Sequence, residues 1–248
     1  MGWEIEFDKS LHNDVPTVDR INSRKGYEKD NVAILCWRCN SIKKDASILD
    51  IQNIWSVLMK FKIILADPPW NWKTWSDKGR EKSPPYHCMS MSDIQSLPVQ
   101  DISDNDSVLF MWATYPLLHE VIHTVESWGF HYTSVAFTWV KKSFPSQGGK
   151  YFVGCGYYTR ANPEICLLGT KKKKLKRLNR SVRNLIVDPR DPKHSRKPIC
   201  VHHKIVELFG DLPRIELFAT QKTDGWTCLG DEIDGKDIKW AIKELVIQ

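Results

Sequence analysis

The sequence predicts an α/β fold with a mostly parallel sheet and helices on both of its faces. From Phe61 onward, short apolar runs alternate with longer segments of helical periodicity. The apolar runs are continuous rather than alternating, which is typical of parallel strands buried on both faces. A length of 248 residues and an apolar fraction of 42% suffice for one large domain with a packed core.

The predicted elements follow one another from residue 61 to residue 220. Six strands are predicted, at residues 62–67, 107–113, 134–140, 164–169, 181–187 and 214–220. Helices are predicted at residues 90–98, 115–129 and 197–210, the last two closed by Gly129 and Gly210 and the third opened by a proline.

The chain divides into three segments by composition and predicted secondary structure. Residues 1–50 are polar and turn-rich, residues 51–60 form a predicted connector helix, and residues 61–248 form the predicted main domain. Neither a leader peptide nor an apolar run of membrane-spanning length is apparent, which predicts a soluble protein that is not exported. The seven scattered cysteines predict no disulfide framework and a reducing cytoplasm, of a bacterium or of a phage-infected cell.

The stretch LADPPW, residues 65–70, ends the first predicted strand of the main domain. In open α/β sheets, ligands bind outside the carboxyl ends of the strands, so this is where function is expected. One alternative is that Asp67 caps a helix and that the prolines only rigidify a turn. The other is chemical and depends on the four residues Asp67, Pro68, Pro69 and Trp70 acting together.

Two hydrogen-bond acceptors can activate the exocyclic amino group of adenine, whose lone pair is delocalised into the ring. The Asp67 carboxylate is one such acceptor, and the Pro68 carbonyl is a second whose direction the proline ring fixes. Trp70 then offers a flat face for a base that has been flipped out of its stack. These residue types together predict a catalytic site for methylation of an adenine amino group.

Seven ordered motifs make the sequence resemble the DPPW-type N6-adenine methyltransferases of the MT-A70 family, bacterial and phage enzymes included. The resemblance runs from about Phe61 to Ile233. The motifs are ADPPW (66–70), PYHCMSMSDI (85–94), LFMWAT (109–114), FTWVKK (137–142), GYYTRANPEICLLG (156–169), HSRKP (194–198) and RIELFAT followed by GWTCLGDE (214–232).

This resemblance implies a Rossmann-like methyltransferase fold in permuted order, with the catalytic strand before the cofactor strand. It also implies S-adenosyl-L-methionine as the cofactor. Where the family usually has an arginine after ELFA, this chain has Thr220. The residues that the resemblance implies for cofactor binding are Asp67, Lys197, Glu216, Leu217, Phe218, Asp231 and Glu232.

Substrate contacts are expected from residues of the motifs listed above and from the lysine run. The lysine run that begins at residue 171 contains no acids and is expected to adjoin the active-site motifs, which favours contact with a phosphate backbone over a solvated face. Core packing is an equally good interpretation of Trp112 and Trp139. The full predicted set is Tyr86, Trp112, Trp139, Lys141, Arg160, Asn162, Glu164, Lys171, Lys172, Lys173 and Lys174.

Residues 16–47 resemble the C-terminal half of HNH-type nuclease domains of phages. Asp19-Arg20 occupies the place where such domains commonly carry the base histidine, which predicts a degenerate module that assists DNA binding. Cys36 and Cys39 have the spacing of zinc ligands but lack an obvious second pair, so two reduced cysteines are the preferred interpretation.

The sequence therefore predicts an S-adenosyl-L-methionine-dependent adenine-N6 methyltransferase that acts on double-stranded DNA, without a metal, and that can form a homodimer. The net charge of +6 is compatible with a polyanionic partner. The alternatives are the same reaction on RNA adenosine, a catalytically silent nucleic-acid-binding subunit, and a metal-dependent nuclease driven by residues 1–50.

Overall fold

A computed structural model of the chain describes residues 16–22, 24–37, 40–41, 60–71, 88–154, 156, 158–190 and 196–247. The chain forms two compact units, Met1–Met59 with Ile247–Gln248, and Lys60–Val246. Within the described ranges, every helix is too short or too polar to span a bilayer. Most of the predicted connector helix, residues 51–59, lies outside these ranges, so that prediction is untested.

The first unit contains an antiparallel hairpin of β1 (Pro16–Arg20) and β2 (Val32–Cys36). Asn31, at the end of the turn, is 5% exposed. Its amide donates to the carbonyls of Asn22 and Gly26 at 3.1 and 2.8 Å, and its Oδ1 accepts from the Asn22 amide at 2.8 Å. One buried side chain thus satisfies three backbone groups of the turn.

The second unit is built on a seven-stranded sheet. Its strands are β3 (Phe61–Ala66), β4 (Ser103–Ala113), β5 (His131–Lys142), β6 (Glu164–Thr170), β7 (Leu185–Pro189), β8 (Arg214–Leu217) and β9 (Thr227–Leu229). Their order is β7-β5-β6-β4-β3-β8-β9. β6 is antiparallel to both of its neighbours, whereas the other pairs are parallel.

Helices pack on both faces of this sheet. They are α1 (Met91–Gln95), α2 (Val99–Ile102), α3 (Leu118–Ser127), α4 (Cys200–Phe209), α5 (Asp231–Asp234) and α6 (Ile238–Ile247). Val121 and Val125 of α3 and Ile242 of α6 are buried against one face of the sheet. Val201 and Ile205 of α4 are buried against the other. The predicted α/β class, with a mostly parallel sheet covered on both faces, is confirmed.

Two predicted helix ends are confirmed. Gly129 and Gly210 have φ angles of 77° and 83°, which only glycine adopts without strain. The predicted helix at 90–98 is instead divided into α1 and α2, with Pro98 between them because proline has no amide hydrogen to continue a helix. The helix predicted at 115–129 opens with a 3-10 turn.

Three predicted strands are confirmed as parts of β4, β5 and β6. The strand predicted at 181–187 begins only at Leu185, where pairing with Thr138 starts. The one predicted at 214–220 ends at Leu217, because Phe218 has a φ angle of 63° and turns the chain away from the sheet. Sequence reasoning missed β9 and α6 as separate elements.

The order of the strands puts the topological switch point of the sheet between β3 and β8. From β3 the sheet continues through β4 on one side and through β8 and β9 on the other. Both strands are parallel, so Asp67 and Phe218 leave the same edge of the sheet, and the Asp67 amide donates to the Leu217 carbonyl at 3.4 Å. This edge, which we term the catalytic edge, is where a doubly wound sheet binds its ligand.

Gly230 brings the loops after β8 and β9 together at the catalytic edge. A Cβ atom at Gly230 would lie 2.3 Å from the carbonyl oxygen of Ala219, and the Ala219 amide donates to the Leu229 carbonyl at 2.9 Å. We expect Gly230→Ala to lower the free energy of unfolding by about 1–3 kcal/mol, because the backbone must move to relieve the overlap. Urea unfolding measures this, with Gly26→Ala as the control, since nothing lies within 4 Å of a Cβ there. Equal stability of the two variants would contradict the close approach.

Candidate active site

The Asp-Pro-Pro-Trp segment forms a tight turn after β3. The Trp70 amide donates to the Pro68 carbonyl at 2.8 Å, and the Met89 amide donates to the Pro69 carbonyl at 3.1 Å. Because a carbonyl oxygen has two lone pairs, Pro68 keeps one acceptor position beyond its bond to Trp70. The two prolines and these bonds fix the direction in which the Asp67 carboxylate and the Pro68 carbonyl leave the strand.

Trp70 anchors this turn in the core. Its indole Nε1 donates to the carbonyl of Trp112 at 3.0 Å, and only 4% of the residue is exposed. The expectation that Trp70 offers an open ring face to a flipped base is therefore wrong for this structure. Trp112 and Trp139 are 2% and 3% exposed and pack edge to face with ring centroids 6.4 Å apart, so the core-packing interpretation of both is confirmed.

Four charged side chains form a continuous row of ion pairs along the catalytic edge. The Lys197 ammonium lies 2.6 Å from Asp67 Oδ2 and 3.4 Å from Glu164 Oε2. The other oxygen of Glu164 accepts from the Lys141 ammonium at 2.5 Å. Each of the four comes from a different segment: the turn after β3, the start of β6, the end of β5 and the stretch before α4. The antiparallel direction of β6 brings Glu164 to this edge.

Burial and neighbouring charges shift the pKa values of the two carboxylates of the row in opposite directions. Burial raises the pKa of Asp67 above its ordinary value, and the neighbouring Lys197 only partly offsets this effect. Burial also disfavours the charged form of Glu164, but Lys197 and Lys141 together hold the pKa of Glu164 below its ordinary value. Glu164 is thus the firmly ionised partner of both lysines, whereas Asp67 holds its charge less tightly.

Asn162 supports the row by holding the backbone of Lys141. Its Oδ1 accepts from the Lys141 amide at 2.8 Å, and its Nδ2 donates to the carbonyls of Lys141 and Phe152 at 2.9 and 2.6 Å. The amide is thus used inside the protein, which does not fit the expected contact with substrate. The neighbouring Arg160 is exposed, and its predicted contact with substrate stays a prediction.

The predicted cofactor residues lie around the ends of β8 and β9. Glu216 Oε2 is 2.8 Å from Nε2 of His202, a 5% exposed histidine of α4 that sequence reasoning missed. Leu217 is fully buried, and Phe218 forms the turn that opens the end of β8. Asp231 and Glu232 are exposed in the first turn of α5.

The groups at this edge fit S-adenosyl-L-methionine by charge and hydrogen-bonding type. The carboxylate of Asp67 suits an α-ammonium group, and the ammonium of Lys197 suits a carboxylate. Carboxylates at the position of Asp231 and Glu232 suit the two ribose hydroxyls. Thr114, which directly follows β4, also has a buried hydroxyl without a hydrogen-bond partner among the described residues.

The lysine run lies at the opposite edge of the sheet. β6 begins at Glu164, which pairs with Trp139 near the end of β5, and it finishes at Thr170, which pairs with His131 at the start of β5. With seven residues at about 3.3 Å each, the ends of β6 are roughly 20 Å apart. The premise that the run adjoins the active-site motifs is therefore wrong, because β6 is antiparallel.

Individual lysines of the run make local contacts there. Lys171 lies 4.2 Å from the centroid of the Phe130 ring, and burial lowers its pKa, helped by the charge of Lys60. Lys173 lies 4.0 Å from Asp106 but is exposed, as are Lys172 and Lys174. Their predicted contact with phosphate stays a prediction, at a distance from the catalytic edge.

Three further predicted residues have no described side chain. Tyr86 and Cys39 lie outside the described residues, and only the backbone of Cys36, at the end of β2, is described. Among the described residues, no group of three or more metal-binding side chains is found, and Cys166, Cys200 and Cys228 are in no disulfide.

Comparison with known proteins agrees with this geometry. The family model described as MT-A70 matches residues 61–232. The Type II methyltransferase M.MunI of Mycoplasma sp is 33% identical over 217 residues, which cover 79% of this chain and 89% of M.MunI. An N(6)-adenosine-methyltransferase MT-A70-like protein of Drosophila melanogaster is 26% identical over 97% of this chain but only 38% of its own length. The human N(6)-adenosine-methyltransferase catalytic subunit METTL3 is 24% identical over 80% of this chain and 31% of its own length. With a catalytic edge of the expected composition and a family match over most of its length, the chain belongs to the MT-A70 family.

Proposed function

We propose that the protein transfers a methyl group from S-adenosyl-L-methionine to the N6 amino group of adenine in DNA. The observation that carries this proposal is the pair of fixed acceptors, the Asp67 carboxylate and the Pro68 carbonyl, at the end of the central strand β3. S-adenosyl-L-methionine, the donor that MT-A70 methyltransferases use, supplies an electrophilic methyl group.

In this proposal Asp67 and Pro68 each accept one N–H hydrogen of the adenine amino group. Holding both hydrogens draws the nitrogen toward tetrahedral geometry and frees its lone pair to take up the methyl group, whose bond to the cofactor sulfur would break with the electron pair left on sulfur. Both acceptors are fixed before the substrate binds, so little reorganisation is needed at the moment of reaction. The proton that the nitrogen loses passes to solvent.

The remaining residues of the site bind and orient. Lys197 attracts the methionine carboxylate, Asp67 also accepts from the α-ammonium group, and Asp231 and Glu232 accept from the ribose hydroxyls. Glu216, Phe218 and the backbone of Leu217, whose side chain is fully buried, line the site at the end of β8. Glu164 holds the ammonium groups of Lys197 and Lys141 in register, at 3.4 and 2.5 Å.

Substrate choice between DNA and RNA rests on the relatives. The chain spans 89% of the Type II methyltransferase M.MunI, which favours DNA, but only 31% of the human adenosine methyltransferase subunit, which keeps RNA as the second candidate. Labelled methyl transfer to matched DNA and RNA oligonucleotides decides between them. We expect N6-methyldeoxyadenosine from the DNA, and product from the RNA alone would move the enzyme to the second candidate.

The raised pKa of Asp67 predicts how activity depends on pH. The carboxylate accepts the amino hydrogen only when ionised, so activity falls as the pH drops through the pKa of Asp67. Because burial raises that pKa, we expect the acidic limb of the pH–rate profile at a higher pH than for an exposed aspartate. Single-turnover rates from pH 4.5 to 8.5 measure this. A rate that stays constant down to pH 4.5 would contradict the role of Asp67.

For the first unit we propose a degenerate HNH-like module that assists DNA binding. The β1–β2 hairpin supports this proposal, and the amides of Asn31 and Asn40 hold it together internally, with Asn40 donating to the Thr17 hydroxyl at 3.0 Å. Metal-dependent cleavage of plasmid DNA by the protein would show instead that this module is an active nuclease. The homodimer also remains a proposal, which sedimentation equilibrium tests.

A further inference from the structure

The segment between β5 and β6 both leaves from and returns to the catalytic edge. Hydrogen bonds near its two ends attach the segment to this edge. The Phe152 amide donates to the Lys141 carbonyl at 2.9 Å, and the Ser143 amide donates to the Lys150 carbonyl at 2.9 Å. The three hydrogen bonds of Asn162, near the other end of the segment, join it to the backbones of Lys141 and Phe152. The described residues of this segment therefore form a hydrogen-bonded projection beside Asp67 and Glu164.

The projection carries large side chains that are open to solvent. Tyr158 is 94% exposed, Val153 67% and Tyr151 62%. Tyr158 belongs to a narrow turn: the Gly154 amide donates to the Ala161 carbonyl at 2.7 Å, and a Cβ at Gly156 would lie 1.9 Å from the Thr159 carbonyl oxygen. A tight turn thus presents the Tyr158 ring to solvent.

Cations accompany these aromatic side chains. The Lys142 ammonium lies 4.8 Å from the centroid of the Tyr151 ring, and the Arg190 guanidinium, from the end of β7, lies 4.0 Å from that of Phe152. Lys150 and Arg160 are exposed on the same segment. Residues 142–163 contain no aspartate or glutamate, so the charge of the segment is entirely positive.

We propose that this projection is the surface that holds DNA at the catalytic edge. Tyr158 and Tyr151 stack on bases next to the target adenine, and Lys142, Lys150, Arg160 and Arg190 contact phosphates. Exposed aromatic faces interleaved with cations are the combination that binds nucleic acid through stacking and charge. The inference rests on the proposed function, since it assigns the substrate surface of that same site.

The position of the surface explains why these cations, and not the lysine run, bind near the target base. The projection begins and ends at the edge that carries Asp67. The lysine run begins roughly 20 Å away, at the other end of β6. A base held by Asp67 and Pro68 therefore has its neighbouring nucleotides within reach of the projection.

The test is binding of a labelled, unmethylated DNA duplex, measured by fluorescence anisotropy at several salt concentrations. We expect Tyr158→Ala to weaken binding about five- to hundredfold, the loss seen for one stacked base. Tyr158→Phe, which keeps the ring, binds within about twofold of wild type. Removing two phosphate contacts with Lys150→Ala/Arg160→Ala lowers the slope of log affinity against log salt by about 1.8. The charge-matched control Lys239→Ala/Lys243→Ala, on α6, leaves the slope unchanged.

Calorimetric titration with S-adenosyl-L-methionine separates this inference from the proposed function. All four variants are expected to bind the cofactor as wild type does. If wild type methylates DNA while Tyr158→Ala and Lys150→Ala/Arg160→Ala bind DNA with unchanged affinity and salt slope, the projection is not the DNA-binding surface. The proposed methyltransferase function is then unaffected. Tighter binding of the matched RNA, lost in the same variants, would also overturn the assignment to DNA. If wild type forms no N6-methyl product on any nucleic acid, it is the proposed function that fails.

Discussion

Asp67→Ala is expected to reduce methyl transfer by at least about 10²- to 10³-fold, the loss typical of removing one fixed group that stabilises a transition state. The carboxylate accepts an amino hydrogen of the adenine, and alanine leaves that hydrogen without an acceptor. Single-turnover methylation of a DNA duplex with saturating cofactor measures this loss directly. Activity within tenfold of wild type would contradict the mechanism.

The same substitution is expected to leave the fold intact. Burial raises the pKa of Asp67, so stability increases as the pH falls through that pKa, and the ionised carboxylate destabilises the fold at neutral pH. In its absence Lys197 still pairs with Glu164 at 3.4 Å. We therefore expect a thermal midpoint equal to or above that of wild type. Asp67→Asn is the matched control for shape: it keeps one oxygen but loses the charge, and it should be nearly as inactive.

Lys197→Met is expected to lower both activity and stability, and to do so in a pH-dependent way. Lys197 pairs with Asp67 at 2.6 Å, and its side chain is 14% exposed. Removing one partner of such a pair leaves an unpaired carboxylate, which costs on the order of 3 kcal/mol in the free energy of unfolding at neutral pH. Without the lysine, the pKa of Asp67 rises further, so the acidic limb of the pH–rate profile moves to higher pH.

Because protonation removes the unpaired charge, the stability deficit of Lys197→Met shrinks as the pH falls through the raised pKa of Asp67. Urea unfolding at pH 7.5 and pH 5.5 measures this. Lys141→Met is the matched control, because Lys141 pairs with Glu164 but Lys197 is the cation whose charge acts on Asp67. The control should keep the acidic limb of the wild type. A limb that shifts equally in both variants would contradict a specific Lys197–Asp67 pair.

Much of the fold follows from local signals in the sequence. Continuous apolar runs predicted β3 to β6, and the two glycines at 129 and 210 predicted helix ends that their positive φ angles confirm. The direction of β6 could not be predicted in this way, because a buried strand has the same pattern whichever way it runs. Because this direction was unknown, the lysine run was expected beside the active-site motifs together with Glu164, whereas the antiparallel strand puts only Glu164 at the catalytic edge.

The candidate site was predictable in composition but not in its pairings. The LADPPW stretch predicted two acceptors because the residue types themselves carry that chemistry. The row that joins Lys141, Glu164, Lys197 and Asp67 brings four distant segments together, and no spacing in the sequence signals such a contact. Trp70 was expected to be open because a tryptophan beside a polar loop can stack on a base. Its hydrogen bond to the Trp112 carbonyl depends on the pairing of β3 with β4, which only the fold supplies.

The central claim is that Asp67 and Pro68 activate an adenine amino group for methylation. It is tested most directly by incubating wild type and Asp67→Asn with isotope-labelled S-adenosyl-L-methionine and unmethylated genomic DNA, followed by digestion to nucleosides and mass spectrometry. We expect labelled N6-methyldeoxyadenosine from wild type and at most about a hundredth of it from Asp67→Asn. Label on cytosine, or equal N6 product from the two proteins, would contradict the account.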